Sequence, residues 1–458
     1  YRLTRAMLRE AWETGSPKGE RALANHDEDT VTMAVEAVEN CLAGGDHSAA
    51  GALFFASASP PYIEKSAAAT VAAAADLGEE NFRTADFGAS LCAGMSAFRS
   101  ACDALDAAPS REAVVVASEM RVAEPGTPHE GIFGDAAAAL WLAKDDAGAI
   151  AEVNDFYSIS ADFTDIWRRP GDPFVNVEDA KFVLEEGYGL FLKKALDGLL
   201  NRAGIGAADI SKAVFYAPDA AGFKYQKKTL GLSAEQLSAD SQLDTIGNTG
   251  NAMPFLLLAA ALDESSPGDR IAVLGYGNGA QAVLLTVTDA IKDYSDTRGL
   301  AAHLAARREL SSYQKYLRFR GLISMETVKP FAPMPLIWRE RKAVAARYGS
   351  RCNACGAFVF PPRRVCRNCD AKDDFTLKKL GRAGRVYTFA KDHLVPSPDL
   401  PVVMMSADMD GGGRLYAQYT DADASTAEVG MNVELCFRRI NEGGDHYNYF
   451  WKFRPPLV

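Results

Sequence analysis

The stretch Thr84–Leu105, TADFGASLCAGMSAFRSACDAL, decides the fold. Its lead-in, Phe82–Phe87, is apolar at both ends and suits a strand. Gly88, Ala89 and Ser90 follow as a tight turn of small residues, and an apolar helical pattern runs from Leu91 to Leu105. Cys92 therefore sits where that helix begins. Backbone N–H groups at a helix N-terminus favour a thiolate, so a cysteine there is predicted to be more acidic than a free thiol. Gly94 keeps bulk away from the turn, and the whole reads as a strand-to-helix corner that presents a nucleophile. A second reading stays open, because free cysteine is often a small buried core residue.

Strand and helix signals alternate on either side of this corner, which predicts an α/β fold. Asp27–Leu42 reads as an N-capped helix with Val31, Val35 and Val38 on one stripe. Ala52–Ala56 and Ala113–Ala117 are all-apolar strands, as expected in a sheet covered on both faces. Phe133–Leu142, FGDAAAALWL, is a Gly-Asp turn entering a strand, with Ile150–Phe156 expected to pair beside it. Phe163–Tyr188 is looser and turn-rich. Trp167 and Arg168 there are candidates for a lid or pocket wall, against the plainer reading of a surface excursion.

A strand at Lys212–Tyr216 ends in Tyr-Ala-Pro. Then Gly247-Asn248-Thr249-Gly250 precedes a long apolar helix, repeating the logic of the Cys92 corner with an amide in place of the thiol. Arg270–Tyr276, a Gly277-Asn278-Gly279 turn and Ala280–Val287 read as a hairpin of buried strands. From 288 to 345 the pattern turns helical and basic, interrupted by Pro330, Pro333 and Pro335, and reads as a connecting arm.

The 458 residues suffice for two or three domains. A net charge of −11 argues against a general nucleic-acid binder. The charge is uneven: residues 1–345 carry −14 and residues 346–458 carry +3, which marks a boundary near 345. No apolar run is long enough to span a membrane, and the opening YRLTRAMLREAWETG has no signal core, as though a preceding strand had been cut away. Four of the eight cysteines form one cluster, and Cys41, Cys92, Cys102 and Cys436 show no disulfide framework. That usage points to the cytoplasm.

The cluster is Cys352-Asn-Ala-Cys355 and, after ten residues, Cys366-Arg-Asn-Cys369. Two CxxC knuckles supply four thiolates to one tetrahedral ion with no open position, which predicts structural zinc. An iron site or a redox dithiol pair is the alternative. Five short strand signals then follow, at Gly384–Ala390, Val402–Ala407, Leu415–Tyr419, Val433–Arg438 and Tyr447–Phe453. They suit a small barrel of OB type.

These motifs together resemble two known families. DEDTVTMAVEA, the Cys92 corner, FGDAAAAL, GNTGNA and PGDRIAVLGYGNGA make residues 1–290 similar to the thiolase-superfamily condensing enzymes, near archaeal-type hydroxymethylglutaryl-CoA synthase and ketoacyl synthase III. Residues 346–380 and 381–458 resemble the zinc-ribbon and OB-fold proteins that accompany thiolase-like subunits. The resemblance implies a five-layered αβαβα fold, a homodimer and a coenzyme A thioester in a tunnel leading to the corner.

It also implies site residues. Asn248 matches the family's asparagine, with Gly247 and Gly277 expected near substrate beside it, and the wall candidates Trp167 and Arg168 are expected to face the same substrate. The family's histidine position reads Phe215-Tyr216-Ala217-Pro218, so a tyrosine stands there. The family's upstream acid falls near Ala58 and is missing. Cys92 fits the ketoacyl-synthase spacing, whereas alignment on Gly94 and Ala97 puts Leu91 in the nucleophile slot.

The first expectation is an enzyme that forms or breaks carbon–carbon bonds in a β-keto or β-hydroxy acyl-CoA. Cys92 would be the acyl acceptor, Tyr216 the proton donor and Asn248 the oxyanion or enolate donor. The alternative is a non-catalytic CoA-binding scaffold that docks a second thiolase-like or dehydrogenase subunit through its ribbon and barrel. Tyr216 would then be a packed strand-end aromatic and Asn248 a helix cap.

Overall fold

The computed structural model describes residues 1–457 apart from 47, 108–111, 145–147, 238–240, 295–297, 327–331 and 444–445, so Pro330 lies outside the described residues. The chain forms two compact units. One comprises residues 1–24, 29–71 and 78–313, the other residues 25–28, 72–77 and 314–458. The residues expected to form a separate helical connecting arm, 291–345 between the first domain and the ribbon, are thus divided between the two units.

The first unit is built on two four-stranded sheets. In one, Arg83–Phe87, Ala50–Ala56 and Glu112–Glu119 run parallel, and Ala136–Ala143 closes the edge antiparallel. In the other, Lys212–Phe215 runs parallel to Arg270–Tyr276, followed antiparallel by Gly279–Val287 and Ala151–Ser160. The expected hairpin forms, in register from Arg270↔Thr286 to Tyr276↔Ala280. The strand beginning near Ile150 corrects an expectation. It pairs with Gly279–Val287 in the second sheet rather than beside FGDAAAAL. The pattern of a strand fixes its faces but not its neighbour.

The helices Ala93–Ala107 and Met253–Asp263 form the layer between the sheets, each packing on strands of both. Phe98 of the first meets Phe156 of the second sheet at 5.3 Å and Phe255 of the second helix at 6.0 Å, both edge to face. Burying such a ring contributes about 1.5–3 kcal/mol. Outer helices cover the sheets, with Thr30–Cys41 on the first and Gly189–Ala203 on the second. Asp29 caps Thr30–Cys41 in a capping box, and Val31, Val35 and Val38 are buried, as their spacing predicts. The result is the αβαβα thiolase-like arrangement.

In the second unit, Tyr348–Cys352, Phe358–Val359 and Phe375–Lys379 form a three-stranded ribbon. A closed five-stranded barrel follows, ordered Ala383–Asp392, Val402–Met409, Arg414–Tyr419, His446–Arg454, Asn432–Gly443. All five expected strands are present. Among the described residues no helix is long and apolar enough to cross a membrane.

Candidate active site and metal centre

The Cys92 corner and the Asn248 turn are tied together by one amide. Asn251 Oδ1 accepts from Gly94 N at 2.8 Å, while Asn251 Nδ2 donates to Ser90 O at 2.9 Å and to Glu119 Oε1 at 2.7 Å. Ser90 Oγ caps the corner by accepting from Cys92 N at 3.1 Å and donating to Gly277 O at 3.1 Å. Ala89 takes a positive φ of 62°, a left-handed position normally left to glycine. The turn at 88–90 is therefore a strained corner held by its neighbours.

The FGD motif fixes the second turn. Asn248 N donates to Ile132 O at 2.7 Å, and Gly134 N donates to Asn248 O at 3.0 Å. Gly247 sits at φ 87°, where an added Cβ would lie 2.6 Å from Ile132 O. Gly277 has no room for a side chain against the backbone of Leu91 and Cys92. Both glycines seat the corners by close approach. Neither is among the cavity-lining residues, where the resemblance placed them near substrate.

A cavity of about 120 Å³ opens beside the Asn248 turn. Tyr216, Asn248, Tyr276, His129, Asp165 and Asp219 supply its polar groups, and Ile132, Phe133, Ile166, Val177, Val183 and Leu184 are among its apolar ones. Its modest volume and largely apolar wall suit a short acyl head. The loose segment after Phe163 does form part of the wall. It does so through Asp165, Ile166, Val177, Ala180, Val183 and Leu184, while Trp167 and Arg168 lie outside the lining and are exposed. In the short hairpin of Ile166–Trp167 with Asn176–Val177, alternation points Ile166 inward and Trp167 outward.

Within the cavity wall, Asn248 Nδ2 donates to the Tyr216 hydroxyl at 2.9 Å and to Pro218 O at 2.9 Å. Both amide hydrogens are engaged, so Asn248 holds the phenol rather than facing a substrate oxygen. The phenol accepts in that bond and keeps its own hydrogen for an acceptor in the cavity. Burial pushes the Tyr216 hydroxyl above its ordinary value, with Arg121 and the Asn248 bond opposing. Tyr216 is therefore protonated at neutral pH and is a donor. Asn248 Oδ1 in turn accepts from Arg121 Nη2 at 2.7 Å and from Gly250 N at 2.9 Å. Arg121 is buried, with its guanidinium 4.3 Å from the Phe133 ring centroid.

Cys92 is not brought to this cavity. Its side chain is packed in the core of the first unit, and a Cβ added at Gly275 would lie 3.4 Å from its sulfur. Burial pushes the thiol up to about 12, with only a backbone hydrogen bond from Gln281 opposing. The helix-terminus argument for an acidic thiol is overridden by desolvation, and the helix itself starts one residue later, at Ala93. Leu91 is likewise buried core.

Four polar groups of the site escaped the sequence reading: Arg121, His129, Asp165 and Asp219. Only the Pro-Gly-rich loop EPGTPHEG before FGD carried a signal, since it places a histidine next to a motif that sets the site. Burial and Arg121 lower the His129 pKa, keeping its imidazole neutral near pH 7, although Asp219 pulls the other way.

The four ribbon cysteines do converge. Their sulfurs lie within 4.8 Å of one another, with Cys352–Cys369 at 3.7 Å and Cys355–Cys366 at 3.6 Å. A tetrahedral zinc with Zn–S near 2.3 Å requires sulfur–sulfur edges of about 3.8 Å. The two knuckles share one construction. Gly356 N donates to Cys352 O at 2.8 Å and Asp370 N to Cys366 O at 3.0 Å, and both donor residues have positive φ. Cys352, Cys355, Cys366 and Cys369 therefore fit a closed structural zinc site.

Comparison with known proteins agrees with this architecture. The chain is 31% identical over 319 residues to the hydroxymethylglutaryl-CoA synthase of Methanocella arvoryzae, covering 69% of this chain and 90% of that protein. The chain belongs to the hydroxymethylglutaryl-CoA synthase family. The synthase of Methanocaldococcus jannaschii is also 31% identical, over 67% of this chain and 89% of its own.

Among solved structures, the fold matches HMG-CoA synthase complexed with CoA (TM-score 0.64, 20% identity, 73% of this chain and 92% of that one). It also matches MvaS in complex with 3-hydroxy-3-methylglutaryl coenzyme A (TM-score 0.61, 21% identity, 72% and 91%). To this family region the chain adds the ChsH2 rubredoxin-like zinc ribbon domain at residues 348–375 and the ChsH2 C-terminal OB-fold domain at 378–438.

Proposed function

We propose that the chain acts on an acyl-CoA, forming or cleaving a carbon–carbon bond by aldol-type chemistry at a β-hydroxy acyl group, without an acyl-cysteine intermediate. The relatives' names supply the coenzyme A thioester as substrate class. The observation that carries the reading is the Asn248–Tyr216 hydrogen bond of 2.9 Å in the cavity, with the Cys92 thiol outside it. A neutral phenol donating to a thioester oxygen stabilises an enolate, and an enolate is what aldol and retro-aldol steps share. Tyr216 is the catalytic donor, Asn248 its positioning residue, and Trp167 and Arg168 flank the wall. Zinc held by Cys352, Cys355, Cys366 and Cys369 would secure the ribbon, its four thiolates leaving no open position for an acyl group. This reading takes the chain as a cytoplasmic homodimer.

Turnover of a panel of β-hydroxyacyl-CoA esters, followed as release of a shorter acyl-CoA and a carbonyl product, tests this. Cys92→Ala is expected to retain turnover and Tyr216→Phe to lose it. Acyl-CoA labelling of the protein that disappears in Cys92→Ala, together with its turnover, would restore the covalent route. The packed position of Cys92 also favours a second reading, a CoA-binding scaffold for a thiolase-like or dehydrogenase partner. Tight acyl-CoA binding with no turnover across the panel would select it.

A further inference from the structure

The donor side of the cavity has a named group, but aldol chemistry also requires a proton acceptor. The acid expected near Ala58 is absent from the sequence. The structure places the Glu119 carboxylate at the Ala58 backbone, yet its oxygens are already taken by Ala58 N at 2.6 Å, Ser59 Oγ at 2.7 Å and Asn251 Nδ2 at 2.7 Å. Glu119 serves the corner and does not line the cavity.

Two carboxylates do line it, Asp165 and Asp219. Asp219 is the more exposed of the two and caps the helix Ala220–Thr229, one oxygen accepting from Gly222 N at 2.7 Å. Asp165 is 6% exposed and its position is fixed from two sides. Its own carbonyl accepts from Glu178 N at 2.9 Å across the wall hairpin, and one carboxylate oxygen accepts from Ile166 N at 2.8 Å. It stands beside Tyr276, whose buried hydroxyl has no well-formed hydrogen bond and whose ring stacks on Tyr216 at 6.2 Å. Burial raises the Asp165 carboxyl above its ordinary range, with Tyr276, its own backbone, Ile166 and Arg121 opposing. A carboxylate so placed takes up and returns protons more readily than an exposed one.

We propose that Asp165 is the proton-transferring carboxylate of this cavity, supplied by the wall segment in place of the family's upstream acid, and acting on a β-hydroxyacyl-CoA with a short apolar acyl head. The proposal rests on the aldol-type reading above. In the cleavage direction Asp165 takes the proton of the β-hydroxyl. The Cα–Cβ bond breaks as the β-carbon becomes a ketone or aldehyde, and the bonding pair moves to Cα and the thioester as an enolate held by the Tyr216 hydroxyl. Cα then takes the proton back from Asp165. The products are a carbonyl compound and a shorter acyl-CoA, and no water, oxidant or second nucleophile enters. Condensation is the reverse, with Asp165 first removing the α-proton of the short acyl-CoA.

The last half-reaction is separately observable as exchange of α-protons for deuterium. The 458-residue chain is incubated in D2O with acetyl-CoA or propionyl-CoA, and α-deuteration is followed by NMR alongside cleavage of 3-hydroxybutyryl-CoA and 3-hydroxy-3-methylbutyryl-CoA. Asp165→Asn, which keeps the acceptor for Ile166 N, is expected to lower exchange and cleavage by about 10² or more with acyl-CoA affinity retained. Asp165→Glu restores part of both. Circular dichroism and the melting temperature confirm that each variant is folded. Unchanged exchange in a folded Asp165→Asn protein, with Tyr216→Phe inactive, overturns the assignment of Asp165 and leaves the aldol reading standing. A wild-type chain that neither exchanges nor cleaves any of the four overturns both.

Discussion

The Arg121 guanidinium donates to Asn248 Oδ1 at 2.7 Å and has no carboxylate within ion-pair distance among the described residues. A buried cation with no direct ion pair is costly, and the side chain it donates to is Asn248. The guanidinium polarises the Asn248 amide, which donates to Tyr216, and thereby strengthens Tyr216 as a donor into the cavity. Arg121→Met removes the cost and the polarisation together. The melting temperature is expected to stay near or above that of the wild type, while turnover falls about tenfold or more. A fall in both would make Arg121 a structural residue only.

Tyr216→Phe keeps the ring stack with Tyr276 and removes the hydroxyl. Loss of a positioned acid costs about 10²–10⁴ in rate. Because burial raises the phenol above its ordinary value, it is protonated throughout neutral pH. The rate profile of the wild type is therefore expected to show no limb from this group between about pH 6 and 9.

Cys92 is expected to be slow toward iodoacetamide. With its thiol pushed up to about 12, the reactive thiolate forms only in strong base, so labelling at neutral pH should lag far behind that of Cys41 in the unfolded chain. Cys92→Ser places a hydroxyl in apolar packing and should destabilise by about 1–3 kcal/mol, read from denaturant melts. Rapid labelling of the folded protein at pH 7.5 would refute the buried placement.

One zinc ion per chain is expected by elemental analysis. Cys366→Ser should lose it and unfold the ribbon, since a closed four-thiolate site supplies folding free energy outright. The sulfurs of Cys352, Cys355 and Cys369 would then lack the fourth member of their set.

In the second unit, Asp27 is a second buried charge, this one well paired. Burial alone would raise its carboxyl, but Lys452 at 2.8 Å, His26 and Arg438 outweigh it and hold Asp27 well below the ordinary range. A lowered folded value gives stability that is complete above about pH 4, the unfolded value, and is lost as pH falls through the folded one. The second unit should therefore lose stability progressively in acid below about pH 4. Asp27→Asn, which leaves Lys452 buried without its partner, should cost about 3–5 kcal/mol at neutral pH. Calorimetric scans from pH 2 to 7 on both proteins check this.

Periodicity and turn chemistry were enough to read the alternating fold, the capped helix at Thr30–Cys41, the ribbon and the five barrel strands. They rest on local spacing, which a sequence displays directly. Pairing of Ala151–Ser160 with Gly279–Val287 did not show, because strand partners are chosen across the chain. The site divided in the same way. Tyr216 and Asn248, which line the cavity, sit next to motif residues that a sequence displays directly. Arg121 and Asp165 gain their meaning from burial and from what they face. Cys92 misled because a helix start says where a thiol begins, not whether the interior will close over it.

The clamp made by Asn251 carries a wider consequence. It grips main-chain atoms at Ser90 and Gly94, so the hydrogen bonds that hold the bend do not involve the Cys92 sulfur. A bend whose backbone is secured without its thiol can stand with that thiol closed inside the core, so the shape of the corner alone is no warrant of a reactive sulfur.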